Sequence, residues 1–281
     1  MKDRFCGWYF KCQSDRQTLA VIPSIHTVHG QRFSSIQLIT DDASWHASFP
    51  GSLFRTHDTF LSIGKNRFSP QGLHLDLRSP GLHAVGDLSF GPLTPLRYDI
   101  MGPFSFVPFL ECRHRIYSIK HTVTGEIRIN DIPYVFRRGA GYLEGDRGSS
   151  FPKEYVWTQC SFPGGALMLS VADIPLGLCR FTGVISVILL QGREYRLATY
   201  LGAKAVKIEG GDVTIRQGNM TLSAKLIEPS GHRLQAPVGG AMARTIHEHP
   251  SCRAFYRLQK GNELLFEQEV SNASFEYEYP L

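Results

Sequence analysis

Apolar and polar residues alternate in short stretches along almost the whole of this chain. Runs rich in Val, Ile, Thr, Phe and Tyr are separated by Gly, Pro, Asn or Asp, which is the pattern of an all-β sandwich or barrel. Helical periodicity is hard to find. In the first part the alternation predicts strands over Phe5–Cys12, Thr18–His26, Phe33–Thr40, Thr59–Ile63, Leu73–Leu77 and His83–Phe90. Turn residues such as His29-Gly30, Asp41-Asp42, Lys65-Asn66 and Ser79-Pro80-Gly81 lie between them.

From Gly91 to Cys112 the pattern breaks, because Pro92, Pro95, Pro103 and Pro108 interrupt an apolar and aromatic stretch that cannot run as a regular central strand. This segment reads as a linker packed across barrel mouths or as a lid. Strands then resume over Tyr117–Ile129, Tyr134–Leu143, Tyr155–Phe162, Leu167–Ala172, Cys179–Leu190 and Glu194–Leu201. The last group is Lys204–Ile208, Val213–Arg216, Met220–Leu226, Met242–His247, Cys252–Leu258 and Leu264–Val270. So many strands exceed what one small barrel needs, and Asn130-Asp131, Gly210-Gly211 and Lys260-Gly261-Asn262 suit meandering hairpins. The expected architecture is two antiparallel β-barrel domains packed side by side, residues 1–148 and 149–281, although no internal repeat marks a duplication.

With 281 residues, 42% of them hydrophobic, the chain can bury a full core, so disorder is excluded. Its net charge of +5 comes from 30 Lys and Arg against 25 Asp and Glu, spread without a dense run, and no nucleic-acid partner is expected. The start moves from charges of both signs straight into an aromatic run, unlike a secretory signal, and the expectation is a cytoplasmic protein. The longest apolar run, Phe181–Leu190, is half of the roughly 20 residues a membrane helix needs. Six cysteines show no CxxC pair and no zinc spacing, which suits reduced thiols. Cys6 and Cys12 fall in one predicted strand, about 20 Å apart and beyond disulfide reach.

The richest chemistry lies between Gly141 and Cys160. Two strand-like runs flank a Gly/Ser/Pro turn at Ser149-Ser150, and period two puts Tyr142, Glu144 and Asp146 on one face of the first and Tyr155, Trp157 and Gln159 on one face of the second. Carboxylates, rings and an amide suit a pocket for a greasy, weakly polar molecule. Elsewhere His247-Glu248-His249 could begin a metal site, but no third ligand stands at a telling spacing, so no metal is assigned. Glu111, Arg113 and His114 are dense in polar function and are candidates for a pocket mouth. No nucleophile elbow or phosphate loop is present, and no cofactor is expected.

These residues resemble the tocopherol cyclase family and the wider lipocalin-like group that includes carotenoid hydratases. The resemblance rests on Gly7-Trp8-Tyr9-Phe10, Gly102-Pro103-Phe104, His121, Glu144, Gly148, Phe151-Pro152 and Trp157-Thr158-Gln159-Cys160, and it spans most of the chain. It implies two lipocalin-like barrels and a prenyl-lipid or similarly greasy substrate, in the plant enzymes a prenylated quinol closed to a chromanol. Arg147 stands where the plant pattern carries a Trp, which bears on what the pocket accepts.

Such a ring closure protonates an alkene and adds an oxygen, so it needs a carboxylic acid held neutral and a shielded tertiary cation. Burial supplies the first and aromatic faces the second. Glu144 is the first choice for the acid and Asp146 the second. Tyr155 and Trp157 would offer ring faces, with Tyr142, Arg147 and His114 around the substrate, and Gln159 or His121 would hold the phenol oxygen or take its proton. Two plainer readings stand beside this one. Carboxylates near a tight turn and Arg147 can simply fix the loop, and barrels of this kind also serve as non-catalytic carriers of lipophilic ligands, with peripheral membrane contact open to either.

Overall fold

Extended chain accounts for nearly all regular structure, arranged as two antiparallel sheets. The computed structural model describes residues 3–57, 59–108, 110–176, 179–228 and 231–280. The first sheet holds β1 (Arg4–Gln13), β2 (Thr18–Val28), β3 (Gln31–Thr40), β4 (Ser44–Pro50), β5 (Phe54–His57), β6 (Phe60–Ile63), β7 (Asn66–Ser69), β8 (Gly72–Ser79), β9 (Leu82–Phe90), β10 (Cys112–Ile129) and β11 (Ile132–Gly148). Across it the order is β4-β3-β2-β1-β11-β10-β9-β8-β7-β6-β5, so every neighbour is sequential except β1 and β11, which tie two meanders together.

The second sheet holds β12 (Tyr155–Phe162), β13 (Gly165–Leu176), β14 (Cys179–Leu190), β15 (Arg193–Ala198), β16 (Lys204–Glu209), β17 (Asp212–Gln217), β18 (Met220–Leu226), β19 (His232–Val238), β20 (Ala241–Lys260) and β21 (Glu263–Tyr277). Its order is β15-β14-β13-β12-β21-β20-β18-β17-β16, with β19 on β20. Among the described residues no helix is long and apolar enough to cross a membrane.

Each sheet serves one core. Phe10, Leu19, Ile36, Phe68, Leu75, Ile127 and Phe136 come from strands far apart in the first ladder yet pack in one cluster, which requires the sheet to curl on itself. Among the described residues the hydrogen-bonded ladder runs from β4 to β5. Val156, Leu169, Ile188, Ile215, Tyr256 and Phe275 form the second core.

The chain divides into two compact units that are not simple halves. Unit 1 comprises residues up to Leu96 with Cys112–Ser150 and Gln235–Arg244; unit 2 comprises Arg97–Glu111, Phe151–Leu234 and Thr245 onward. The proline-rich stretch therefore splits: residues from Arg97 belong to unit 2, where the buried Arg196 guanidinium donates to the carbonyls of Tyr98 and Asp99 and stacks 3.7 Å from the Tyr98 ring.

Three sequence expectations are corrected. Ser149-Ser150 is not a hairpin turn, since β11 pairs with β1 and β10 while β12 pairs with β13 and β21. Strand β20 runs unbroken through Pro250, with register shifts between His249 and Ala254 absorbing the proline, where two strands were expected. Strands β4, β5, β7 and β19 have no counterpart in the sequence reading, because they are short or show too few buried positions for alternation to register.

Candidate active site

A bulge decides where Glu144 points. Tyr134 and Phe136 on β11 face the unit 1 core, and strict alternation would turn Tyr142 and Glu144 inward too. Opposite β10, however, Val123 aligns with Gly139 and Thr124 with Arg137, so Arg138 is extra and adopts φ 59°. Beyond it Leu143 joins the core beside Phe10, and Tyr142, Glu144 and Asp146 occupy the other face. That face is nonetheless covered, for Glu144 is only 5% exposed and Tyr142 1%.

Five side chains meet there. The Tyr142 hydroxyl donates to Glu144 Oε2. His114 on β10 reaches the same Oε2 with Nε2 at 3.0 Å, an ion-pair contact outside good hydrogen-bond alignment, and its Nδ1 lies 3.0 Å from Asp146 Oδ1. Cys112 Sγ stands 3.6 Å from that same Oδ1. Cross-strand register builds the group, since His114 is opposite Asp146 and Ile116 opposite Glu144, while Tyr9 and Lys11 of β1 stand opposite Glu144 and Tyr142. Lys11, buried at 2%, is a residue the sequence reading missed.

Burial is the largest influence on Glu144 and raises its pKa; His114 and the Tyr142 hydroxyl oppose it without cancelling it. Burial alone would keep His114 neutral, but Glu144 and Asp146 together outweigh it and hold the ring as an imidazolium. Tyr142 is pushed far above the ordinary phenol range, first by burial and then by Glu144, so its hydroxyl remains a donor. The cluster is thus a chain from Asp146 through His114 to Glu144 and Tyr142. Tyr142 and His114 both meet Oε2 of Glu144, so in the neutral acid the proton sits on Oε1.

The ligand atoms of His114, Glu144 and Asp146 lie within 4.8 Å of one another, close enough for a metal. Each ring nitrogen of His114 already faces its own carboxylate, so an ion binding there would have to displace the imidazolium proton. At the other sequence candidate, His247 is exposed and His249 buried.

The remaining expected residues fall elsewhere. Arg147 is exposed and alternates to the face opposite Glu144, where it stands across from Cys6. Arg113 pairs in register with Arg147 rather than with the acids, and Glu111 belongs to unit 2. His121 aligns with Gly141 on the core face, so the sheet separates it from Glu144. Tyr155, Trp157 and Gln159 belong to unit 2, where they share the buried face turned away from Val156, Cys160 and the second core. There the Tyr155 hydroxyl donates to Glu276, which aligns with Trp157 on one side and Glu248 on the other. Glu276 escaped the sequence reading because nothing links residues 121 positions apart until β12 and β21 pair.

Solved structures share this architecture. Kievitone hydratase from Nectria haematococca superposes with a TM-score of 0.54 at 10% identity, over 98% of this chain and 89% of that one. A putative AttH from Nitrosomonas europaea gives 0.57 at 10% identity over 100% and 94%, and CghA with Sch210972 gives 0.60 at 9% identity over 99% and 88%. At such identities the likeness shows the fold, a lipocalin-like all-β arrangement. No family model and no curated protein sequence matches the chain.

Proposed function

We propose that this protein is a cofactor-independent enzyme that protonates a carbon–carbon double bond of a lipophilic small molecule and adds an oxygen to the resulting cation. The observation that carries this reading is the buried Glu144, raised in pKa, with Oε2 occupied by Tyr142 and His114. A neutral carboxyl fixed in this way offers its Oε1 proton to an alkene carbon. General-acid donation of this kind contributes about 10²–10⁴-fold. The electron pair of the double bond takes that proton, leaving a tertiary cation that the rings of Tyr9 and Tyr142 flank. Water or a hydroxyl of the same molecule then adds, and its proton returns to the Glu144 carboxylate, which restores the acid.

Water as nucleophile gives hydration and an internal phenol gives cyclisation. The fold is shared with a kievitone hydratase, whose name states the first, and the sequence resemblance implies the second, with a prenylated quinol or terpenoid-like substrate. On unit 2 the rings of Tyr155 and Trp157 and the amide of Gln159 are our proposed apolar and polar ligand contacts. Glu144→Gln keeps the shape and removes the acid. The expected outcome is unchanged ligand affinity with turnover lost. A variant that converted a confirmed substrate as fast as the parent would show that Glu144 is not the acid, whereas a parent protein that bound such molecules and converted none would be a carrier.

A further inference from the structure

On the core face of unit 1 lies a buried polar side chain that the acid cluster does not use. His121 is 5% exposed and lies next to Val123, across from Gly141, with the Phe90 ring centroid 4.8 Å away and Phe10 stacked on Phe90 at 6.0 Å. Its Nδ1 is 3.0 Å from the Ser118 hydroxyl. That hydroxyl has one hydrogen to give, and its 3.0 Å approach to the Lys120 carbonyl oxygen requires that hydrogen there. Ser118 Oγ also accepts the backbone N–H of Thr94 at 3.1 Å, so its other lone pair takes a hydrogen from His121. The ring proton is thereby fixed on Nδ1, and Nε2 is a bare acceptor. It is buried and has no hydrogen-bond partner among the described residues.

A phenylalanine at 121 would fill the same space without stranding an acceptor in apolar surroundings. The chain instead leaves position 141 as glycine, where a Cβ would come within 2.2 Å of Nε2. Burial also pushes the His121 pKa down to about 4, so the lone pair stays open at neutral pH.

We infer that the core face of unit 1 has a ligand position of its own, at which an apolar molecule carrying a phenol or alcohol hydroxyl donates to His121 Nε2. The donor must be neutral, because Phe10, Phe68 and Phe90 on this face offer nothing to solvate a charge. A carboxylate or ether has no hydrogen to give and is rejected. The position lies across the sheet from Glu144 and stands whether or not Glu144 is an acid catalyst.

The test uses the full chain with 2-naphthol and its methyl ether as probes, followed by titration calorimetry and by ¹⁵N spectra of histidine-labelled protein. The expected result is binding of 2-naphthol at least tenfold tighter than of the ether. The unprotonated Nε2 signal of His121 should shift on addition, and the affinity should persist in Glu144→Gln. His121→Phe should erase the difference between the two probes. Equal affinity for naphthol and ether, or a His121 signal that does not move at saturation, would overturn the inference. The spectra are taken on the parent protein, so a poorly folding His121→Phe does not remove the test.

Discussion

Tyr142 donates its hydroxyl to Glu144 from two positions earlier on the same strand, so a single stretch of β11 supplies both the carboxyl and the group that orients it. This bond favours the ionised carboxylate and therefore lowers the pKa that burial raises. Tyr142→Phe should push the Glu144 pKa further up. If the neutral acid is the active form, rate falls as pH rises through that pKa, and the descending limb of the pH–rate profile should move to higher pH in the variant. A limb that stays in place would detach the profile from Glu144.

His114 holds a positive charge between two acids, and removing it strands them. His114→Ala should cost about 3 kcal/mol of stability at neutral pH, the order expected when one partner of a buried pair is deleted. Without the imidazolium, the Glu144 pKa, already raised by burial, climbs further above its unfolded value, so the loss is greatest at high pH and shrinks as pH falls and Glu144 protonates. Urea unfolding at a series of pH values measures the narrowing.

His121 behaves in the opposite sense. Its folded pKa of about 4 lies below the ordinary 6.5, so the unfolded chain binds more protons in between and stability falls as pH drops through that window. His121→Phe should flatten this part of the stability–pH curve relative to the parent. Equal slopes from pH 7 to pH 4 would show that His121 is not buried neutral.

Gly141→Ala should displace the His121 ring, because the new Cβ would lie 2.2 Å from Nε2. Overpacking of this kind costs about 1–3 kcal/mol. With His121→Ala in the background the clash with the ring disappears and only the 2.7 Å approach to Val123 Cγ2 remains, so the double variant should be more stable than the sum of the single losses predicts. Thermal unfolding of the four proteins closes the cycle.

Arg196 fastens the segment that precedes β10 to unit 2 through the Tyr98 and Asp99 carbonyls, aided by a Tyr200 hydroxyl that donates to the Ile100 carbonyl. Arg196→Ala should free residues 97–111 and accelerate limited proteolysis there, while cleavage elsewhere is unchanged. Uniformly faster cleavage along the chain would instead mean general destabilisation.

Runs of β-branched and apolar residues between clear turns were enough to place most strands, and β12, β14 and β18 match their expected limits, although β12 is buried on both faces and only β18 buries alternate residues. Alternation concentrated attention on Tyr142, Glu144 and Asp146, since residues two apart on one strand must share a face. Partners were harder to read. His114 joins them only through the β10–β11 register, and Glu276 meets Tyr155 only when the last strand pairs with β12.

The amino-acid order by itself determined the β class, most of the turn positions and the local company of Glu144, since these depend on neighbours within a few residues. Which side of the sheet that company occupies was decided in three dimensions. One extra residue at Arg138 reverses the alternation, taking Glu144 to the face opposite the core while His121 stays inside. A bulge forms where two long strands must stay paired along a curled sheet, and that requirement exists only once β10 and β11 have met.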